Sequence, residues 1–182
     1  YSELSHLARK RILDLFSIDR ISKIYLDHYN KAISNQDDIV ISDFANEWSR
    51  FNQIDVEKKE MEEIFYDYFN IFPKRHLNDH AEGIDLGCGS GRWAQFVSPK
   101  VKKLTALDAS EKTLSVAKKL LKNQSNINFL KGDVVNLSIK DQSYDFAYSL
   151  GVLHHVKDIE RALNEVYRIL KPNAPFLIYL YY

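Results

Sequence analysis

Cysteine is nearly missing from this 182-residue chain, where Cys88 stands alone. A single thiol excludes an internal disulfide and fits a reducing compartment, so a cytoplasmic location is the expectation. Net charge is missing as well. Twenty-five Lys and Arg cancel twenty-five Asp and Glu, leaving no global field to draw nucleic acid or an anionic membrane surface. Long apolar runs are absent: nothing reaches the roughly 18 residues of a membrane span, and no signal-peptide pattern opens the chain. The chain starts at Tyr1 rather than Met, which reads as a trimmed N-terminus. Proline and glycine are scarce, at four and six, so each one marks something. The 45% hydrophobic content suits one domain with a real core.

Residues 1–80 read as a helical cap or extension with no alternating strand. Leu4, Leu7, Ile12, Leu15 and Phe16, then Ile21, Ile24, Tyr25 and His28, have rough helical spacing, and Phe44, Trp48 and Phe51 suggest a further short helix. The clearest periodicity is Met61, Ile64, Phe65, Tyr68, Phe69 and Phe72, stopped by Pro73. Two accounts of this aromatic-rich region stand: core packing against the following domain, or a cap in which Tyr25, His28, Tyr29 and Trp48 line a substrate pocket.

From residue 81 to 182 strands and helices alternate. Strands are expected at Glu82–Leu86, Lys103–Leu107, Ile127–Leu130, Tyr144–Leu150 and Phe176–Tyr182. Helices are expected from Gly91 to Val97, from a Ser110 N-cap through Leu114, Ala117, Leu120 and Leu121, and from Asp158 to Leu170 with Ile159, Leu163, Val166 and Leu170 inward. Such βα units specify a parallel sheet with helices on both faces, an α/β doubly wound fold. Ligands then bind beyond the carboxyl ends of the strands. Three glycines in five positions, Gly87, Gly89 and Gly91, make a turn almost without side chains directly after the first strand, with backbone N–H groups expected to point at the ligand. Asp108 ends the second strand about twenty residues later, the position of an acid that accepts from ribose hydroxyls. A dinucleotide fingerprint fails here, because the third small residue of G-x-G-x-x-G is replaced by Arg92; this disfavours an NAD-dependent oxidoreductase. No G-x-x-x-x-G-K-[ST] phosphate loop occurs either.

Ile84-Asp85-Leu86-Gly87-Cys88-Gly89-Ser90-Gly91 resembles motif I of the class I S-adenosylmethionine-dependent methyltransferases. Leu107-Asp108-Ala109-Ser110 resembles their acidic motif II, Gly132-Asp133-Val134 motif III, and the run from Tyr144 to Val156 motif IV with its continuation. Glu165 to Pro172 resembles the helix and turn before the fifth strand. The set is most similar to the ubiquinone/menaquinone, "type 11" group, and covers residues 82–182 but none of 1–80.

The resemblance implies a Rossmann-like sheet of order 3-2-1-4-5, S-adenosyl-L-methionine as cofactor, S-adenosyl-L-homocysteine as product and a small-molecule acceptor. It also implies a cofactor site made of Asp85, Gly87, Cys88, Gly89, Gly91, Asp108, Ala109, Asp133, Val134, Ser149 and Leu150. Within it, Asp85 would hold the methionine ammonium, Asp108 the ribose, and Asp133 with Val134 the adenine. Cys88 fills a slot where small residues are usual. His154 and His155 are the candidate general base, of which one at most would face the methyl group if they sit side by side on a helix; the competing account is a turn that merely tolerates histidine. No metal site is expected. Asn173-Ala174 stands where the family commonly has two glycines, and Asn173 tolerates a turn conformation. The family sheet normally continues past the fifth strand, so Phe176–Tyr182 reads as the apolar edge of a truncated sheet, to be covered by a dimer contact or a partner. An alternative to the enzyme is a cofactor-binding module without turnover, acting in assembly or regulation.

Overall fold

The computed structural model describes residues 58–180. The expectations placed on residues 1–57, including Tyr25, His28, Tyr29 and Trp48, lie outside the described residues. The chain forms α1 (Lys58–Phe69), β1 (Glu82–Leu86), α2 (Ala94–Val97), β2 (Lys103–Asp108), α3 (Glu111–Leu120), β3 (Ile127–Lys131), β4 (Phe146–Leu150), α4 (Ile159–Ile169) and β5 (Phe176–Tyr179). Single 3₁₀ turns occupy Lys74–His76, Ser98–Lys100 and Leu153–His155. The five strands make one sheet of order β3-β2-β1-β4-β5, every neighbouring pair parallel. This is the expected Rossmann-like order, and it brings all the strand carboxyl ends to one edge.

Alternating side chains build two cores. On one face Met61, Phe65, Phe69 and Phe72 pack with Trp93, Phe96, Leu104, Ala106, Leu114, Ala117, Leu121, Phe146 and Tyr148. Aromatic contacts knit this face: Phe65 stacks on Phe69 at 4.4 Å and on Phe96 at 5.1 Å, and Phe69 meets Tyr148 edge-on at 5.3 Å. Helix α1 is therefore part of the sheet's own core. On the opposite face Ile84, Leu86, Leu107 and Ala147 pack with Leu153, Ala162, Val166 and Ile169.

The helix starts follow the sequence. Ser110 caps α3 by accepting from the Thr113 N–H at 3.2 Å, and Asp158 caps α4 by accepting from Arg161 N–H at 3.0 Å. The inward stripes are narrower than expected. Ile64, Leu120 and Leu163 are exposed, while Phe65 and Leu121, expected beside them, are buried, and on α4 Ala162 and Ile169 join Val166 in the core. Strand β4 begins at Phe146 rather than Tyr144, whose backbone makes only an isolated bridge to Leu170. Helix α2 begins at Ala94 rather than Gly91, since Gly91 adopts φ 83°, outside helical space. Asn173 has φ 63°, the left-handed turn conformation expected of it.

Candidate cofactor site

Strand β1 delivers its last residues into a turn that folds back on β2. Both Gly87 N–H and Cys88 N–H donate to the Leu107 carbonyl, at 2.8 and 2.9 Å. Gly89 N–H donates to Asp108 Oδ2 at 3.0 Å, and Gly91 N–H to the Cys88 carbonyl at 2.9 Å. The expectation that these amides point at a ligand is thus corrected: four of them tie the turn to β2 and to itself. Openness, not an amide cradle, is what the turn offers. Two of its glycines serve packing. A Cβ on Gly87, at φ 78°, would lie 2.5 Å from Val152, and one on Gly91 would lie 2.6 Å from Leu121. Cys88 is buried in the aromatic core, and burial pushes its thiol well above the ordinary range; its side chain does not face the turn's open side.

Asp108 is the latch between turn and strand. Its Oδ2 holds Gly89 and its Oδ1 accepts from the Ser110 N–H at 2.9 Å, which leaves each oxygen a further lone pair for an incoming hydroxyl. Burial raises its pKa, opposed by the Ser110 and Gly89 amides. Asp85 sits deeper, only 2% exposed. Its Oδ2 has no hydrogen-bond partner among the described residues. Desolvation pushes its pKa up to about 8 against the pull of the Tyr148 hydroxyl; the nearby Asp108 charge adds to the rise and Arg92 opposes it. Ala109, half-buried, joins Asp108 to the Ser110 cap.

The remaining strand ends carry the other predicted residues. Asp133 follows β3, is exposed, and folds its own turn by accepting from Val135 N–H at 3.0 Å. Val134 buries its side chain in the aliphatic core. Ser149, fully buried, donates its hydroxyl to the Leu86 carbonyl at 2.8 Å, tying β4 to β1. Leu150 belongs to the aromatic core. Beyond it the chain turns at Gly151, φ 74°, and Val152 closes over Gly87. The histidines lie on the following 3₁₀ turn, not on a helix. Their rings do not point apart: the centroids are 3.9 Å from each other at 47°. Burial lowers the pKa of both, and for His155 the neighbouring His154 adds to it. Both therefore favour the neutral imidazole, which can accept a proton.

The sequence profile of a family described as methyltransferase domain matches residues 84–178, the span that holds every strand-end residue above. The chain belongs to this methyltransferase-domain family. A demethylmenaquinone methyltransferase from Staphylococcus haemolyticus is 30% identical over 153 residues, covering 80% of this chain and 60% of that protein. The chain thus spans about 60% of the length of the curated relatives it matches. Among solved structures, a Methanococcus maripaludis protein described as an S-adenosyl-L-methionine-dependent methyltransferase superposes with a TM-score of 0.60 at 26% identity, over 71% of this chain and 61% of that one. The YcgJ protein of Bacillus subtilis does so with 0.58 at 28% identity, over 62% and 50%.

For this methyltransferase domain the residues present fit a cofactor with a cationic amino-acid end and a ribose. A buried carboxylate oxygen without a partner suits an ammonium, and a half-buried carboxylate with spare lone pairs on both oxygens suits a diol. Two further polar groups carried no expected role: the Tyr148 hydroxyl and Trp93 Nε1, both buried and without a hydrogen-bond partner among the described residues. No residue pattern flags them. Tyr148 stands opposite Asp85 in the β1–β4 register, which is visible only once β4 is known to pair with β1. Gly151, directly after an apolar strand, was the signal available for the turn.

Proposed function

We propose that this chain is the cofactor-binding part of an S-adenosyl-L-methionine-dependent methyltransferase that acts on a small-molecule acceptor. The observation that carries the reading is Asp108 at the carboxyl end of β2, locked by the Gly89 and Ser110 amides beside a turn with almost no side chains. In that arrangement Asp108 would grip the ribose hydroxyls, Asp85 the methionine ammonium, and the Asp133–Val134 turn would border the adenine. When bound, the cofactor supplies a methyl group already attached to a sulfonium leaving group, so the protein's work is orientation and exclusion of water. The histidine turn leaves β4 at the same sheet edge, and a neutral His154 or His155 would take the proton of an oxygen or nitrogen acceptor. Similarity to demethylmenaquinone methyltransferases favours an aromatic quinol-type acceptor within the small-molecule class.

Titration calorimetry with S-adenosylhomocysteine beside NADH tests the cofactor. Binding of the former alone is expected, and Asp108→Ala is expected to weaken it by about 10-fold or more, the loss of a charge-assisted hydrogen-bond pair. Unchanged affinity in Asp108→Ala would remove the ribose assignment. Methyl transfer to a panel of quinols, sugars and lipids tests the acceptor.

A further inference from the structure

Tyr148 is fully buried, and its hydroxyl makes no hydrogen bond among the described residues. Burying an unpaired hydroxyl opposes folding. The ring is well placed for packing, edge-on to Phe69, so phenylalanine would serve the core as well. Yet the hydroxyl is aligned with one group. In the β1–β4 ladder Asp85 and Tyr148 are register partners on the aromatic face of the sheet, and each lies close enough to perturb the other's ionisation. They stop short of a formed hydrogen bond, because Asp85 Oδ2 and the Tyr148 hydroxyl both lack one. Two half-satisfied polar groups on neighbouring strands, at the carboxyl edge of the sheet, form a pair awaiting a third member.

We propose that Tyr148 is a positioning residue for Asp85, and that the pair takes up the cofactor's ammonium in a proton-coupled step: the Asp85 carboxyl releases one proton to solvent as the ammonium arrives. Resting on the cofactor reading above, this adds a residue and a proton count. The balance is one carboxylic acid and one ammonium giving one carboxylate–ammonium pair and one free proton. The groups facing Asp85 agree. From β2 comes the Asp108 carboxylate, which disfavours a second negative charge; from the segment just before α2 comes Arg92, which favours it; from the turn comes the Cys88 thiol, held neutral by burial. Without a ligand, desolvation dominates and Asp85 keeps its proton at neutral pH. A cation placed against Oδ2 reverses the balance, and the Tyr148 hydroxyl supplies the hydrogen bond that holds the resulting carboxylate in place.

Calorimetry of S-adenosylhomocysteine binding at pH 6.5, in two buffers of different ionisation enthalpy, reads the proton directly. Wild type is expected to release close to one proton, and Asp85→Asn none. From pH 8 to 6 wild-type affinity should fall by about tenfold per unit, as linkage to a single acid requires. Tyr148→Phe, which keeps the ring, should shift that pH dependence upward by about one unit and approach wild-type affinity at pH 9. A purely structural tyrosine would instead lower affinity equally at every pH, and that result overturns the assignment. So does wild-type binding with no proton exchange, whether or not the variants fold. Failure of S-adenosylhomocysteine to bind at all would overturn the cofactor reading, and this inference with it.

Discussion

The two faces of the sheet hold different kinds of core. Opposite α4 the buried side chains are aliphatic, and the polar groups around them are paired. Tyr144 donates to Thr105 Oγ1 at 3.0 Å. Arg168 holds Glu165, Asp141 and the carbonyls of Leu137 and Ile139, while Glu165 accepts from the Leu137 N–H at 2.7 Å. Against α1, α2 and α3 the core is aromatic, and it contains the costly groups: Asp85 Oδ2, the Tyr148 hydroxyl, Trp93 Nε1 and Ser98 Oγ, all buried without hydrogen bonds among the described residues. The aliphatic face reaches the proposed site only through Val134 and the turn that starts at Leu153. The aromatic face carries unsatisfied polarity, and two of these groups, Asp85 Oδ2 and the Tyr148 hydroxyl, stand near the carboxyl edge where the proposed ligand enters, the usual place for a fold to hold what a ligand will relieve.

Four experiments would break or sharpen this contrast. The largest effect is expected from Phe65→Ala. Phe65 is 1% exposed and stacks on two rings, so the cavity should cost about 3–5 kcal/mol in denaturant unfolding; less than 1 kcal/mol would mean that α1 is only loosely seated. Next is Asp85→Asn, which should stabilise the ligand-free protein. A carboxyl whose folded pKa is raised to about 8 from an ordinary value near 3.8 makes no difference to stability below pH 4. It penalises the fold increasingly as pH rises, and fully above pH 8. Asp85→Asn should therefore raise stability at pH 8.5 by on the order of 2 kcal/mol, a discounted share of that shift, and change nothing at pH 4. Equal melting temperatures at both pH values would show that Asp85 is not desolvated.

The aliphatic face should respond with the opposite sign. Arg168, then burial working against it, then the Leu137 amide set the Glu165 pKa, lowered to about 2 from an ordinary 4.5. Its contribution is complete above pH 4.5 and is lost as pH falls towards 2. Acid melts of wild type and Glu165→Gln should converge over that window; parallel curves would deny Glu165 its role at the α4 clamp. The smallest effect belongs to Asn173→Gly. At φ 63° glycine relieves a mild strain and loosens the unfolded chain, so the change should stay within about 0.5 kcal/mol of zero, whereas Asn173→Val should cost about 1 kcal/mol or more.

The elements were legible because their causes are local. Strands of apolar β-formers, a Ser110 cap three residues before Thr113 and prolines at the helix ends reveal themselves within a few residues. The Gly turn and Asp108 were legible as a candidate site because a turn without side chains next to a strand-end acid has few other uses. Which face each helix turns inward was less legible: Ile64, Leu120 and Leu163 fit an apolar stripe as well as their neighbours do, and only packing against the sheet chooses Ala162 over Leu163. The direction of the turn's amides was misjudged for the same kind of reason. Whether Gly87 and Cys88 donate outward or to Leu107 depends on how near β2 passes, and a sequence does not state that distance.

By itself, then, the sequence determined the order of α and β units, the parallel sheet that follows from it, and the acids that arrive at one edge. Local propensity and chain connectivity decide those things. Tertiary structure alone decided that Asp85 and Tyr148 share a buried neighbourhood, that His154 and His155 lie ring to ring, and that Gly91 packs closely against Ala117 and Leu121. Each of these depends on contacts between residues far apart in the chain or on the geometry of a single turn. Desolvation, which turns an ordinary aspartate into one that holds its proton, exists only once the surrounding strands and helices have excluded water.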